Sequence, residues 1–158
     1  QQIDTVLDLA QSEAGTMPLE RRPIALGALL RDAVAAIQAE AKAAHIEIVS
    51  DIRVGLGQID GDSRRLRQVA DQMLSHALAA FADSDPPPQG GRRILVHGEG
   101  DAANAQIVVS DNGPGRESTG TQAVAMALAR QLVQAHDGRF ELIQRAGEGS
   151  MSAVFLPR

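Results

Sequence analysis

The segment Ile107–Gly115, IVVSDNGPG, constrains this chain more than any other. Ile107, Val108 and Val109 are consecutive β-branched residues that read as a buried strand. That strand must stop where Asn112, Gly113, Pro114 and Gly115 begin, because proline lacks the ladder donor and glycine loosens the backbone. A carboxylate, Asp111, therefore closes a strand directly before a backbone with no side chains in the way. Such a place suits a flat ligand carrying an amino group, adenine being the obvious case. D-N-G-P-G is equally good turn chemistry. On these residues alone both readings stand.

The rest of the chain supplies helices and strands intermixed. Ile3, Val6, Leu7 and Ala10 fall at helical spacing, and Gly15 sits where a C-cap belongs. Leu19 to Ile24 reads as a short extended stretch, with Pro23 tolerated at an edge. A long helix is predicted from Leu26 to Ala44, with Leu29, Leu30, Ala33, Val34 and Ile37 on one face. Ile46, Ile48 and Val49 read as a strand, and Leu56 to Ile59 as a shorter one. Asp62 or Ser63 can cap a second long helix running to Phe81, with Leu66, Val69, Met73 and Ala77 as its apolar stripe. DSDPPPQGG (83–91) is a loop, since three prolines and two glycines permit neither helix nor ladder. Strands follow at 93–98 and 105–110, then a helix from Gln122 to Ala135. The last two strands are 139–144 and 151–156, with AGEG as the hairpin loop. This order predicts an α+β fold: a two-layer α/β sandwich, its mixed, mostly antiparallel sheet covered by helices on one face.

Composition removes several function classes. There is no cysteine, so disulfides and thiolate metal sites are excluded. The four histidines (45, 76, 97, 136) lack metal-ligand spacing. Only three aromatic residues are present, all Phe, which leaves no base-stacking surface for single strands. A net charge of −5 argues against nucleic-acid partners and against direct membrane contact by this domain. No apolar run approaches a membrane span, and the expected location is cytoplasmic, within a longer parent that can itself be membrane-anchored. Within the second long helix, Gln68, Gln72 and His76 recur every four residues and line one stripe beside the apolar one. The stripe can face a ligand cavity; the plainer reading is a solvated face.

The two polar segments occur in the order and at about the separation of a known family. The chain resembles the histidine-kinase branch of the Bergerat-fold ATPases, shared with gyrase B, Hsp90 and MutL, and the resemblance covers nearly all of it. DLAQSEAG (8–15) is similar to the end of the second dimerisation helix, commonly DLSRIEAG. ERRPIALGALLRDAV (20–34) is similar to the start of the catalytic domain. GDSRRLRQV (61–69) resembles the opening of the N box, and DNGPG the G1 box. LARQLVQAHDGRFEL (128–142) and GEGSMSAVFLP (147–157) look like the final helix and hairpin. The implied division is 1–15 as the end of a dimerisation helix and 16–158 as the catalytic, ATP-binding domain.

The resemblance implies a phosphorelay protein kinase that binds ATP and magnesium, dimerises through its paired helices and passes phosphate to a response regulator. Its nucleotide-binding residues would be Asp111, Gly113, Gly115, Gln72, His76, Gly120 and Thr121, with Gln72 the weak candidate for magnesium. The phospho-acceptor helix lies outside these residues, so no catalytic residue is assigned. The departures are as informative. Two N-box asparagines become Gln72 and His76, and the N-box lysine becomes Ala79. The G2 box, usually GxGLGL, aligns with Thr121–Met126, where all three glycines are gone. The preceding lid, Arg116 to Gly120, is short, and no phenylalanine box is recognisable. A second view of that region starts the final helix one turn early, with Gly120 bordering a smaller pocket. Adenine recognition is thus expected to survive, and phosphoryl transfer to be weak or absent. The alternative is a pseudokinase scaffold that docks a response regulator without using ATP. An anti-sigma or serine-kinase relative is remote, given DLAQSEAG.

Overall fold

A computed structural model describes residues 19–81, 90–114, 120–145 and 148–158. The predicted dimerisation-helix end (1–15), most of the 83–91 loop, and Gly115 lie outside the described residues. The chain runs β1 (Arg22–Ala25), α1 (Leu26–Ala43), β2 (Ile46–Ile52), a 3-10 turn (Val54–Leu56), β3 (Gln58–Gly61) and α2 (Ser63–Ala79). It continues with β4 (Arg92–Gly100), β5 (Asn104–Asp111), α3 (Gly120–Ala135), β6 (Arg139–Arg145) and β7 (Gly149–Pro157).

Five strands form one sheet in the order β2-β4-β5-β7-β6, and β1 pairs with β3 separately. Only β2 and β4 run parallel, so the large sheet is mixed and mostly antiparallel, as expected. Period-2 alternation decides which face is covered. Ile94 and Val96 of β4, Ile107 and Val109 of β5, and Val154 and Leu156 of β7 all point inward and are buried. Against them pack Leu30 and Val34 of α1, Leu66, Met73 and Leu74 of α2, and Leu128, Leu132 and Val133 of α3. With no Trp or Tyr, aliphatic side chains fill the space, and Ala33, Ala70, Ala77 and Ala129 permit close helix approach. The opposite face leaves Val49, Leu95 and Ile143 exposed.

Helix ends follow from specific groups. α1 has no side-chain cap at Ala25; its first amide, Leu26 N–H, donates instead to Gly57 O at 3.1 Å. α2 is capped by Asp62, whose Oδ1 accepts Arg65 N–H at 3.2 Å. Asp62 Oδ2 accepts Glu20 N–H at 3.0 Å, so one carboxylate also ties down the segment that leads into β1. Burial by itself would raise this carboxyl, but the two backbone donors and the nearby Arg65 and Arg64 outweigh it and hold it below its ordinary value. A depressed carboxyl contributes stability above its unfolded value, about 3.9, and loses it as pH falls through the folded value. Asp62→Ala is expected to cost about 1–2 kcal/mol in urea titrations at neutral pH, with the difference from wild type shrinking toward pH 3.

Of the two sequence readings of the final helix, the structure follows the one that starts a turn early. α3 begins at Gly120, not Gln122, so the stretch aligned with the G2 box is helical. The reason is composition: with its glycines replaced, TQAVAMALA is a run of good helix formers broken only by Thr and Val.

Candidate functional site

Three neighbouring strands bring polar side chains into one row at the end of the sheet. β5 ends on Asp111, which pairs across to Ser150 at the start of β7, and Ser150 pairs in turn to Gln144 on β6. On the other side Asp111 pairs to Ile94, which is fully buried and forms an apolar flank. α2 lies over this row and lowers His76 onto it. Ser150 Oγ donates to Asp111 Oδ2 at 2.5 Å, and Gly113 N–H donates to Asp111 Oδ1 at 2.9 Å. The His76 Nε2 atom stands 3.5 Å from both Ser150 Oγ and Gln144 Nε2. Ser150 has a single proton and gives it to Asp111, so its oxygen faces His76 as an acceptor.

Each carboxylate oxygen can accept two hydrogen bonds. Asp111 thus keeps acceptor capacity on both oxygens after Gly113 and Ser150 are counted. A cavity of about 570 Å³ reaches this carboxylate from the sheet end and its uncovered face, lined by Ser110, Ile143 and Met151 of that face together with Asp111, Gly149 and Ser150. That is the size range of ordinary small-molecule sites. Two glycines make the geometry possible. A Cβ on Gly113 would stand 2.9 Å from Ala80 O, so the turn after β5 can lie against the end of α2 only without a side chain. Gly149 has φ +110°, and a Cβ there would overlap Asp111 O.

Of the predicted site residues, Asp111, Gly113 and His76 are brought together. Gln72 lies one turn before His76 on α2 and is half-buried. Gly120 (φ +58°, exposed) and Thr121 open α3, and the Thr121 side chain lies outside the described atoms, as does Gly115. The Gln68–Gln72–His76 stripe is not a solvated face: Gln68 and Gln72 are half-buried and His76 is 7 % exposed. Ser150 and Gln144 stand against His76. Sequence reasoning missed Ser150, Gln144 and Gly149. The only available signal was alternation in β7, which puts Ser150, Ser152 and Val154 on the inward face. Among the described residues, no group of His, Asp and Glu is arranged to hold a metal ion, and no helix is long and apolar enough to cross a membrane.

Helices on one face of a mixed sheet define the class: a two-layer α+β domain. Residues 61–158 match the model of the histidine kinase-, DNA gyrase B- and HSP90-like ATPase family. The chain belongs to this family and is a histidine-kinase-type ATP-binding domain. It is 31% identical to the circadian input-output histidine kinase CikA of Synechococcus elongatus, over 98% of this chain and 22% of that protein. It is 30% identical to the sensor protein DivL of Caulobacter vibrioides, over 98% of this chain and 21% of that protein. The chain therefore spans about a fifth of these relatives. The structure of full-length ShkA in complex with AMPPNP superposes with a TM-score of 0.83 at 20% identity, over 99% of this chain and 35% of that one.

Proposed function

We propose that this domain holds the adenine end of ATP or ADP through Asp111, supported by Ser150, and that it handles the triphosphate and magnesium poorly. The observation that carries the reading is a partly buried strand-end carboxylate, oriented by two donors and still able to accept an amino group. Gly113, Gly115, Gly120 and Thr121 would border the nucleotide. The match to a family described as ATPases, and a neighbour of the same fold solved with AMPPNP, support the choice of ligand.

The donors for magnesium fit badly. Magnesium is a hard cation that takes oxygen ligands in a near-octahedral shell. Gln72 offers one amide oxygen. His76 offers a ring nitrogen, which faces Ser150 and Gln144. The segment aligned with the phosphate-binding loop opens α3: the amides of its first turn have no partner within the helix, but those that follow are bonded inside it and are not free to cradle a phosphate. Phosphoryl transfer rests on metal and positioned donors around the γ-phosphate, and weak kinase output follows. The parent protein would be a cytoplasmic-facing homodimer joined through dimerisation helices, with a response regulator as phosphorelay partner.

Removing magnesium is the direct test. Calorimetry is expected to give ADP affinities with excess magnesium and with chelator that agree within about threefold, or about 0.7 kcal/mol. Tight binding that vanishes with chelator contradicts the reading. The second reading, a scaffold that docks the regulator and binds no nucleotide, is favoured by the altered Gln72 and His76 positions. It predicts regulator binding unchanged by saturating ATP.

A further inference from the structure

His136 ends α3 in an unusual way. Its amide turns back to Val133 O at 3.0 Å, so it no longer serves the Leu132 carbonyl that it would take in a continuing helix. The ring of the same residue fills that place, with Nδ1 at 2.8 Å from Leu132 O. The other nitrogen, Nε2, accepts the backbone N–H of Asp62 at 3.0 Å. A ring that donates from Nδ1 and accepts at Nε2 is neutral, with its one proton on Nδ1. The side chain is 3 % exposed. Gly61 is what lets it approach, since a Cβ there would stand 3.0 Å from His136 Cδ2.

Three pieces of chain meet at this ring. Asp62 caps α2 and also accepts Glu20 N–H. Arg21 donates to Ala135 O at 3.2 Å, the last carbonyl of α3, and lies 3.8 Å from Asp137. The segment leading into the domain is thereby fastened to the first turn of α2 and the last turn of α3. The charged groups facing the ring are Asp62 from the β3–α2 junction, Arg21 from the lead-in segment and Asp137 from its own turn.

We propose that His136 is a proton-operated latch: protonation puts a donor against the Asp62 amide and frees the lead-in segment from α2 and α3. A protonated Nε2 cannot accept, and two N–H groups then face each other in a buried seam. Burial pushes this imidazole below its ordinary value and Arg21 adds to that, against the Leu132 carbonyl and the carboxylates of Asp62 and Asp137. The sign follows. The unfolded chain binds the proton first, so stability is full above about pH 6.5 and declines as pH falls below it. The latch concerns the lead-in seam and does not depend on a nucleotide being bound.

The test uses the 158-residue chain without ligand, by NMR of the histidine ring nitrogens and amide hydrogen exchange. At about pH 7.5 the His136 ring is expected to show the Nδ1–H tautomer. Between about pH 7.5 and 5.5, protection of the Glu20 and Asp62 amides should fall by about tenfold after correction for intrinsic exchange, while Met73 in α2 stays protected. His136→Gln keeps an acceptor near Nε2 without titrating, and its protection should be flat over the same range. An Nε2–H tautomer in the wild type, unchanged Glu20 and Asp62 protection, or the same fall in His136→Gln would overturn the latch. If the variant does not fold, the wild-type tautomer and exchange decide the matter alone.

Discussion

Asp111→Ala is expected to weaken ADP binding by about tenfold to a hundredfold, the usual worth of a hydrogen bond to a charged group in a partly buried site. The carboxylate is the acceptor around which the row at the end of β5, β7 and β6 is organised. Its loss also leaves the Ser150 hydroxyl and the Gly113 amide without their acceptor. Both donors are buried but Ser150 lines the cavity, so the fold should survive at a cost of about 1–3 kcal/mol. Calorimetry paired with a urea melt separates the two effects. Equal ADP affinity in wild type and variant would remove Asp111 from the site.

Gly149→Ala is expected to be the most damaging single methyl in the described chain. The added Cβ would overlap Asp111 O and lie 3.1 Å from the Asp111 carbonyl carbon and 3.2 Å from Asn112 Cα, all backbone atoms that cannot rotate away. The residue also sits at φ +110°, where an L side chain is strained. Clash and strain together should cost about 3–5 kcal/mol and lower the melting midpoint by roughly ten degrees. The β5–β7 register at Asp111–Ser150 would be pushed apart first, so ADP binding should fall along with stability. A melt within a degree or two of wild type would show that Gly149 is not held against Asp111 as described.

Much of the fold was legible because side-chain periodicity reports burial directly. Ile107 and Val109 alternate inward on β5, and Leu66, Val69, Met73 and Ala77 mark the buried stripe of α2. Pro23 was assigned to an edge, and β1 pairs only with β3. What stayed hidden depends on pairing between distant segments. Ser150 is 39 residues from Asp111, and nothing local in GSMSAVF says which strand it will lie beside. His76 reads as part of a polar stripe because its cover, Ser150 and Gln144, comes from the last hairpin. The start of α3 stayed open between two readings, and the run of alanines after Gly120 carries the helix to the earlier one. The bond from the Asp62 amide to the His136 ring spans 74 residues and joins the start of α2 to the end of α3, which no local pattern encodes.

The most direct check is a crystal structure of this chain soaked with magnesium-free ADP. We predict the exocyclic amino group of the base within hydrogen-bonding distance, about 3 Å, of an Asp111 oxygen, with Ser150 still donating to that carboxylate. A base bound elsewhere, or an Asp111 side chain that makes no contact with bound nucleotide, would contradict the account.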